Sequence, residues 1–142
     1  MLIGTIVQGK GTRVVTVSPN ATVTELLSLL AEHNIGAVVV SADGQTISGI
    51  VSERDVVRHL HQRGGTVLGE PVSSIMTAEV RTCGPDENVE DLRKTMTVHR
   101  FRHVPVVQDG RLVGIVSIGD VVKTAIEELE AERAHLVGYM YG

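Results

Sequence analysis

Apolar positions along this chain change period as they go, and the changes mark out its elements. After a lead-in over residues 1–13 that carries Gly9 and Gly11, residues 13–17 read as a short strand closed by Pro19. Val23, Leu26, Leu27 and Leu30 recur at i, i+3, i+4 and i+7, the inward stripe of a helix over residues 22–33. Thr22 and Glu25 stand at capping-box spacing at its start, and Asn34-Ile35-Gly36 ends it. Residues 37–40 are an unbroken apolar run, as expected of a buried strand. Asp43-Gly44 turns the chain into a second strand at 47–51, and a helix follows over 53–62. Gly64-Gly65, Gly69 and Pro71 mark a connection, after which the order returns. A strand is expected at 80–83, a helix at 89–98 with Val89, Leu92 and Met96 inward, and strands at 103–107 and 112–116. A last helix runs over 118–137, before a tail that ends at Gly142.

The return is a repeat. Residues 49–57 and 114–122 agree at seven of nine positions, with Asp55 and Asp120 standing 65 residues apart. Upstream, Thr16 pairs with Thr82, Pro19 with Pro85, Val23 with Val89 and His33 with His99, at an offset of 66. One residue is lost after Asp109-Gly110, in a turn, where length changes are tolerated. A period this long does not fit the common solenoids. Two copies therefore predict a pseudo-symmetric pair, 1–63 and 64–142, each β-α-β-β-α and each covering the other's apolar face.

The chain's 142 residues suit one compact domain or two halves sharing a core. Aromatic residues are only 2%, so that core is built of Val, Leu and Ile. A formal charge of −4 argues against a nucleic-acid partner, and the missing aromatics remove the stacking platforms a single strand needs. No segment reads as a membrane span or signal peptide, and the single Cys83 fits a reducing cytoplasm.

The copied segment carries the candidate chemistry. A short apolar strand breaks at Ser52 or Ser117 into a helix bearing Asp55 or Asp120. Read alone, Ser-x-x-Asp is a helix cap, with the carboxylate suited to the helix dipole. Its recurrence in one apolar frame, at a helix N-terminus that offers N–H groups to an anion, points further. An acid at such a joint can accept the hydroxyls of a ribose, as in dinucleotide-binding folds. The Ser hydroxyl, with Thr16 or Thr82 at the matching strand ends, can bind sugar or phosphate. Neighbouring Val and Ile side chains form an apolar slot for a purine.

With Arg102-His103-Val104-Pro105-Val106-Val107, the turn at Asp109-Gly110, Gly114-Ile115-Val116-Ser117 and Asp120, the chain resembles the CBS domain, named after cystathionine β-synthase. Residues 72–77 match the lead-in common to that family. The resemblance covers nearly the whole chain and is most specific in the second copy. It implies an α/β (α+β) fold of two repeats packed through their sheets, a stand-alone Bateman module, often assembled as a disc-shaped homodimer. It implies adenine nucleotides in clefts between the copies: AMP first, with ADP, ATP, NAD(H), NADP(H) or S-adenosylmethionine as alternatives. Such modules regulate a partner protein and carry no catalytic residues of their own.

Carried over by residue, the resemblance gives a main cleft of Thr16, Arg102, His103, Val104, Ile115, Ser117 and Asp120. Asp120 would hold ribose, and Ser117, Arg102 and His103 would hold phosphate. Arg102 is equally read as a solvated strand-edge residue, and His103 as a packed histidine. The second cleft would use Gly36, Ala37, Ile50, Ser52, Arg54, Asp55 and Thr82. There Gly36 and Ala37 replace the Arg-His pair, so this cleft is expected to lack a charged grip, unless Arg54 compensates, and to be weaker, empty or suited to a bulkier dinucleotide.

The remaining candidates have plainer readings. His59 and His61 stand two apart on a helix and face different ways, and no zinc-like spacing occurs, so no metal site is expected. Cys83 is a buried filler before it is a redox switch. Ile126, Leu129, Arg133 and Leu136 form a stripe on the last helix that suits a dimer surface, with a solvated charged helix as the rival. The alternative function is a ligand-independent dimeric interaction module with vestigial clefts. A small enzyme finds no support: no nucleophile is paired with a base, and neither serine sits in a Gly-x-Ser-x-Gly elbow.

Overall fold

The computed structural model describes residues 1–11 and 14–141. The first copy contains β1 (Thr16–Val17), α2 (Val23–His33), β2 (Ala37–Val40), β3 (Gly49–Ser52) and α3 (Glu53–Arg63). The reciprocal cap at the start of α2 is formed, with Glu25 N–H donating to Thr22 Oγ1 at 3.1 Å and Thr22 N–H to Glu25 Oε2 at 3.2 Å. Asn34 closes the helix in the left-handed region. Val23, Leu26 and Leu30 are buried as expected, whereas Leu27, at the margin of the stripe, is exposed. β2 lies in the middle of the sheet, parallel to β1 and antiparallel to β3, and all four of its residues are buried. Residue 13, where the first strand was expected to begin, lies outside the described residues, as does Gly142 of the tail.

The second copy contains α4 (Val89–His99), β4 (His103–Gln108), β5 (Arg111–Ser117) and α5 (Ile118–Tyr141). Val89, Leu92 and Met96 face its core. The strand expected at 80–83 does not form. Only Cys83 pairs, as one parallel bridge to Val106. Its N–H donates to the Pro105 carbonyl at 3.0 Å, and its carbonyl accepts from Val107 N–H at 2.8 Å. The cause is composition. The first copy approaches its sheet with Val14, Val15 and Val17, while the second has Val80 and Cys83 with an exposed Arg81 where the first has Val15.

The lead-ins cross over. The first 13 residues contain an unexpected helix, α1 (Ile3–Lys10), and it packs on the second copy. Ile3 is fully buried there, its N–H donates to the Glu87 carbonyl at 2.9 Å, and Val89 N–H donates to the Met1 carbonyl at 2.9 Å. Gly114 in β5 permits the contact: a Cβ there would lie 2.9 Å from both methyl carbons of Val7. In return, Val67, Val72 and Ile75 of the connecting segment join the first core. Thr77 exchanges two backbone hydrogen bonds with Ile50, N–H to O at 2.8 Å and O to N–H at 2.9 Å, on the free edge of β3. Each core is thus completed by a segment from the other side of the 63/64 boundary. The α+β class and the two-copy organisation are as the sequence implied.

Candidate functional site

Both Ser-Asp joints fold as the local reading requires. At the first, Ser52 N–H donates to Asp55 Oδ2 at 2.8 Å, Ser52 Oγ–H to the same oxygen at 3.1 Å, and Asp55 N–H returns to Ser52 Oγ at 3.3 Å. At the second, Ser117 N–H donates to Asp120 Oδ2 at 2.8 Å and Asp120 N–H to Ser117 Oγ at 3.1 Å. Both carboxylates are therefore caps. Among the described residues every bond to either one falls on Oδ2, which leaves Oδ1 for a ligand.

A cleft between the copies adjoins each joint. The larger, about 470 Å³, is lined by Gly36, Ala37, Ile50, Ser52, Arg54 and Asp55 of the first copy. It faces Thr77, residues 79–81 and residues 99–103 from across the pair. The smaller, about 320 Å³, is lined by His103, Ile115 and Ser117, together with Val14, Val15 and residues of α1. Ala37 and His103 line both, so the clefts meet back to back.

Six of the seven residues expected at the second cleft line the larger one; Thr82 does not, and its neighbour Arg81 takes the place. The main cleft is rearranged more. His103, Ile115 and Ser117 line the smaller cleft, with Asp120 beside it through Lys10. Val104 is buried in the core and walls neither cleft. Thr16 lies in β1 opposite Val39 and lines neither. Arg102 lines the larger cleft, not the smaller. Arg102 and His103 therefore meet in the larger cleft, and only His103 reaches the smaller one. The expectation of a second cleft without charge is thereby reversed. Arg54, Arg58, Arg81, Arg100 and Arg102 all line it.

Two contributors were not foreseen. Lys10, at the end of α1, donates to Asp120 Oδ2 at 2.7 Å and to the Ile115 carbonyl at 2.9 Å. A lysine 110 residues away carries no local signal of this contact. Phe101, the chain's one phenylalanine, lines the larger cleft and stacks on His99, ring centroids 5.6 Å apart and planes 19° from parallel. Its place between Arg100 and Arg102 was the available clue.

Electrostatics separate the two sites. Burial pushes the Asp120 carboxyl up, but the hydrogen bonds from Lys10 and Ser117 and the Lys10 charge outweigh it, and the carboxyl titrates below the usual range. Burial holds the His103 imidazole below its ordinary value, helped by the Lys10 and Arg102 charges and opposed by Asp120 and Glu53. At neutral pH the shared wall is therefore a neutral ring. Among the described residues no group of three His, Cys, Asp or Glu could hold a metal ion. No helix among them is long and apolar enough to cross a membrane.

Two capped strand-to-helix joints facing clefts between crossed copies define a tandem-repeat ligand-binding module. The CBS domain family model matches residues 11–62 and 72–127, and the chain belongs to that family. It is similar to the CBS domain-containing protein CBSX3, mitochondrial, of Arabidopsis thaliana, at 37% identity over 125 residues. That match covers 85% of this chain and 61% of the relative, so the chain spans less than two thirds of that protein. Among solved structures, the CBS-domain containing protein ATU1752 from Agrobacterium tumefaciens superposes with a TM-score of 0.83 at 44% identity, over 88% of this chain and 99% of that one. The CBS domain pair of protein MJ0100, solved with 5'-methylthioadenosine and S-adenosyl-L-methionine, superposes at 0.79 and 27% identity, over 90% and 98%. A CBS pair of this kind fits a ligand-binding regulatory module.

Proposed function

We propose that this chain is an adenosine-ligand sensor that reports occupancy of its clefts to a partner protein. The observation that carries the reading is the pair of equivalent Ser-Asp caps, each beside a cleft walled by the opposite copy. Oδ1 of Asp55 and Asp120 would accept the ribose hydroxyls, and Ile50 or Ile115 would flank the purine. The adenosine compounds bound by MJ0100 support this ligand class. AMP is the first candidate, with ADP, ATP, NAD(H), NADP(H) and S-adenosylmethionine as alternatives.

Because each cleft spans both copies, a ligand that prefers one relative setting of the copies draws the pair towards it. A coupling of about 1–3 kcal/mol to a partner surface is typical of such linkage. That surface is assigned to α5. Ile126, Leu129 and Leu136 are exposed along it, the stripe expected of a homodimer contact. The module acts in the cytoplasm and catalyses nothing itself.

The test is a thermal-shift screen with those ligands on nucleotide-free protein. A ligand at about 100 times its dissociation constant stabilises the fold by about 2.7 kcal/mol. Asp55→Ala and Asp120→Ala also remove caps, so the measured quantity is the ligand-induced shift, not the baseline melting temperature. The shift should vanish in at least one of the two variants. No shift with any adenosine ligand refutes the sensor and leaves the ligand-independent dimeric interaction module.

A further inference from the structure

We infer that the larger cleft is built for an adenosine ligand bearing two or more phosphates, and that it discriminates against the monophosphate. The inference rests on the adenosine reading above and adds the class of ligand for this one site. Arg54, Arg58, Arg81, Arg100 and Arg102 line the cleft, five of the chain's 13 lysines and arginines, in a protein of formal charge −4. Among the described residues none of the five is in an ion pair. Cations gathered in one concavity without carboxylate partners repel one another, and a polyanion relieves that repulsion.

The five come from separate parts of the chain. Arg54 and Arg58 stand at i and i+4 on α3, Arg81 precedes the Cys83 bridge, and Arg100 and Arg102 flank Phe101 between α4 and β4. They therefore reach the cleft from both copies. Guanidinium groups fork onto phosphate oxygens in charge-assisted pairs. One phosphate offers too few oxygens to engage five such groups arriving from several directions, whereas a di- or triphosphate spans them. Glu53, Asp55 and Glu79 also line the cleft, and Asp55 is held in its cap. Their charge leaves the lining net positive and keeps an acceptor for ribose. The stacked Phe101–His99 pair adds an aromatic surface for the base. The smaller cleft is the contrast. Among the described residues that line it the one lysine or arginine is Lys10, already committed to Asp120, and these residues offer no comparable grip for a phosphate chain.

The experiment is isothermal titration of the full chain with AMP, ADP, ATP and inorganic tripolyphosphate, repeated with Arg58→Gln/Arg102→Gln. Both arginines are exposed, so the double variant should fold, and circular dichroism checks it. One net charge-assisted contact is worth about tenfold in affinity, so ATP should bind at least about tenfold tighter than AMP. The double variant should weaken ATP more than AMP and so shrink that ratio several-fold. Arg58→Lys/Arg102→Lys should keep part of the preference. Equal affinities for AMP and ATP, or a ratio that survives in the glutamine variant, would overturn the inference while the adenosine reading stands. Binding of tripolyphosphate with no contribution from the nucleoside would overturn the adenosine reading instead and keep the polyphosphate site. Silence with every probe sinks both.

Discussion

Replacing Gly114 by alanine tests the crossing of α1 onto the second copy at its tightest point. The new Cβ would stand 2.9 Å from Cγ1 and Cγ2 of Val7 and 3.4 Å from its Cβ. Carbon pairs prefer about 3.5–4.0 Å, so two contacts are compressed together. Val7 cannot rotate away cheaply, because a β-branched side chain in a helix has one strongly favoured χ1. Either α1 lifts or β5 bends. Inserting a methyl group into a packed site of this kind costs about 1–3 kcal/mol. Val7→Ala alone removes two methyl groups from a half-buried position, a loss of about 1 kcal/mol. In the double variant the new methyl enters the space the two old ones left. Its cost should fall below the sum of the singles by about 1 kcal/mol or more, a coupling expected of residues in contact. Urea unfolding of the four proteins measures this, with m-values compared to ensure that the denatured state has not changed. Lifting α1 would also draw Lys10 from Asp120, so the Asp120 carboxyl should titrate higher in Gly114→Ala by NMR. Additive costs, or a neutral Gly114→Ala, would show that α1 does not dock on β5 as described.

Lys10→Ala should cost only about 0.5 kcal/mol, since the lysine is substantially exposed and surface pairs are weak. It should nevertheless raise the Asp120 pKa and strengthen adenosine binding at the smaller cleft, measured by NMR titration and calorimetry; unchanged values of both would remove Lys10 from the site. Because the His103 imidazole is held below 6.5 in the fold, the unfolded chain binds the proton more readily. That contribution is present above about pH 6.5 and is lost as pH falls through the lower folded value. Asp120, also depressed, adds a second loss below its ordinary 3.8. Urea midpoints should therefore fall between pH 7.5 and about 5.5, and His103→Gln should flatten that change; an equal slope in the variant refutes the assignment. Burial pushes the Cys83 thiol up to about 12, with Glu87 adding to it, so native protein should resist iodoacetamide at neutral pH and react only on unfolding. Fast native labelling would restore the redox-switch reading of Cys83.

The repeat, and contacts that close within a few residues, were legible along the chain. The 65-residue echo placed two copies, and the alternation of apolar runs with helical stripes placed nine of their elements to within a few positions. The Ser-Asp and Thr-Glu caps were legible because each closes between residues three apart, where identity almost dictates geometry. Where local composition failed, the prediction failed with it: an exposed Arg81 stands where the first copy has Val15, and only the Cys83 bridge formed.

Tertiary structure alone decided who meets whom. Lys10 reaches Asp120 because α1 crosses to the second copy, and that crossing depends on the absence of a side chain at Gly114. Arg102 belongs to the larger cleft and not to the cleft of Asp120, because the two copies divide the space between them. The five arginines are scattered from 54 to 102 in the sequence; the resemblance singled out Arg54 and Arg102, but nothing local distinguishes Arg58, Arg81 and Arg100 from solvated surface residues. Their convergence is a property of packing: burying two apolar cores in crossed copies leaves the polar ends of both facing one concavity, and the charge that collects there is set by the fold.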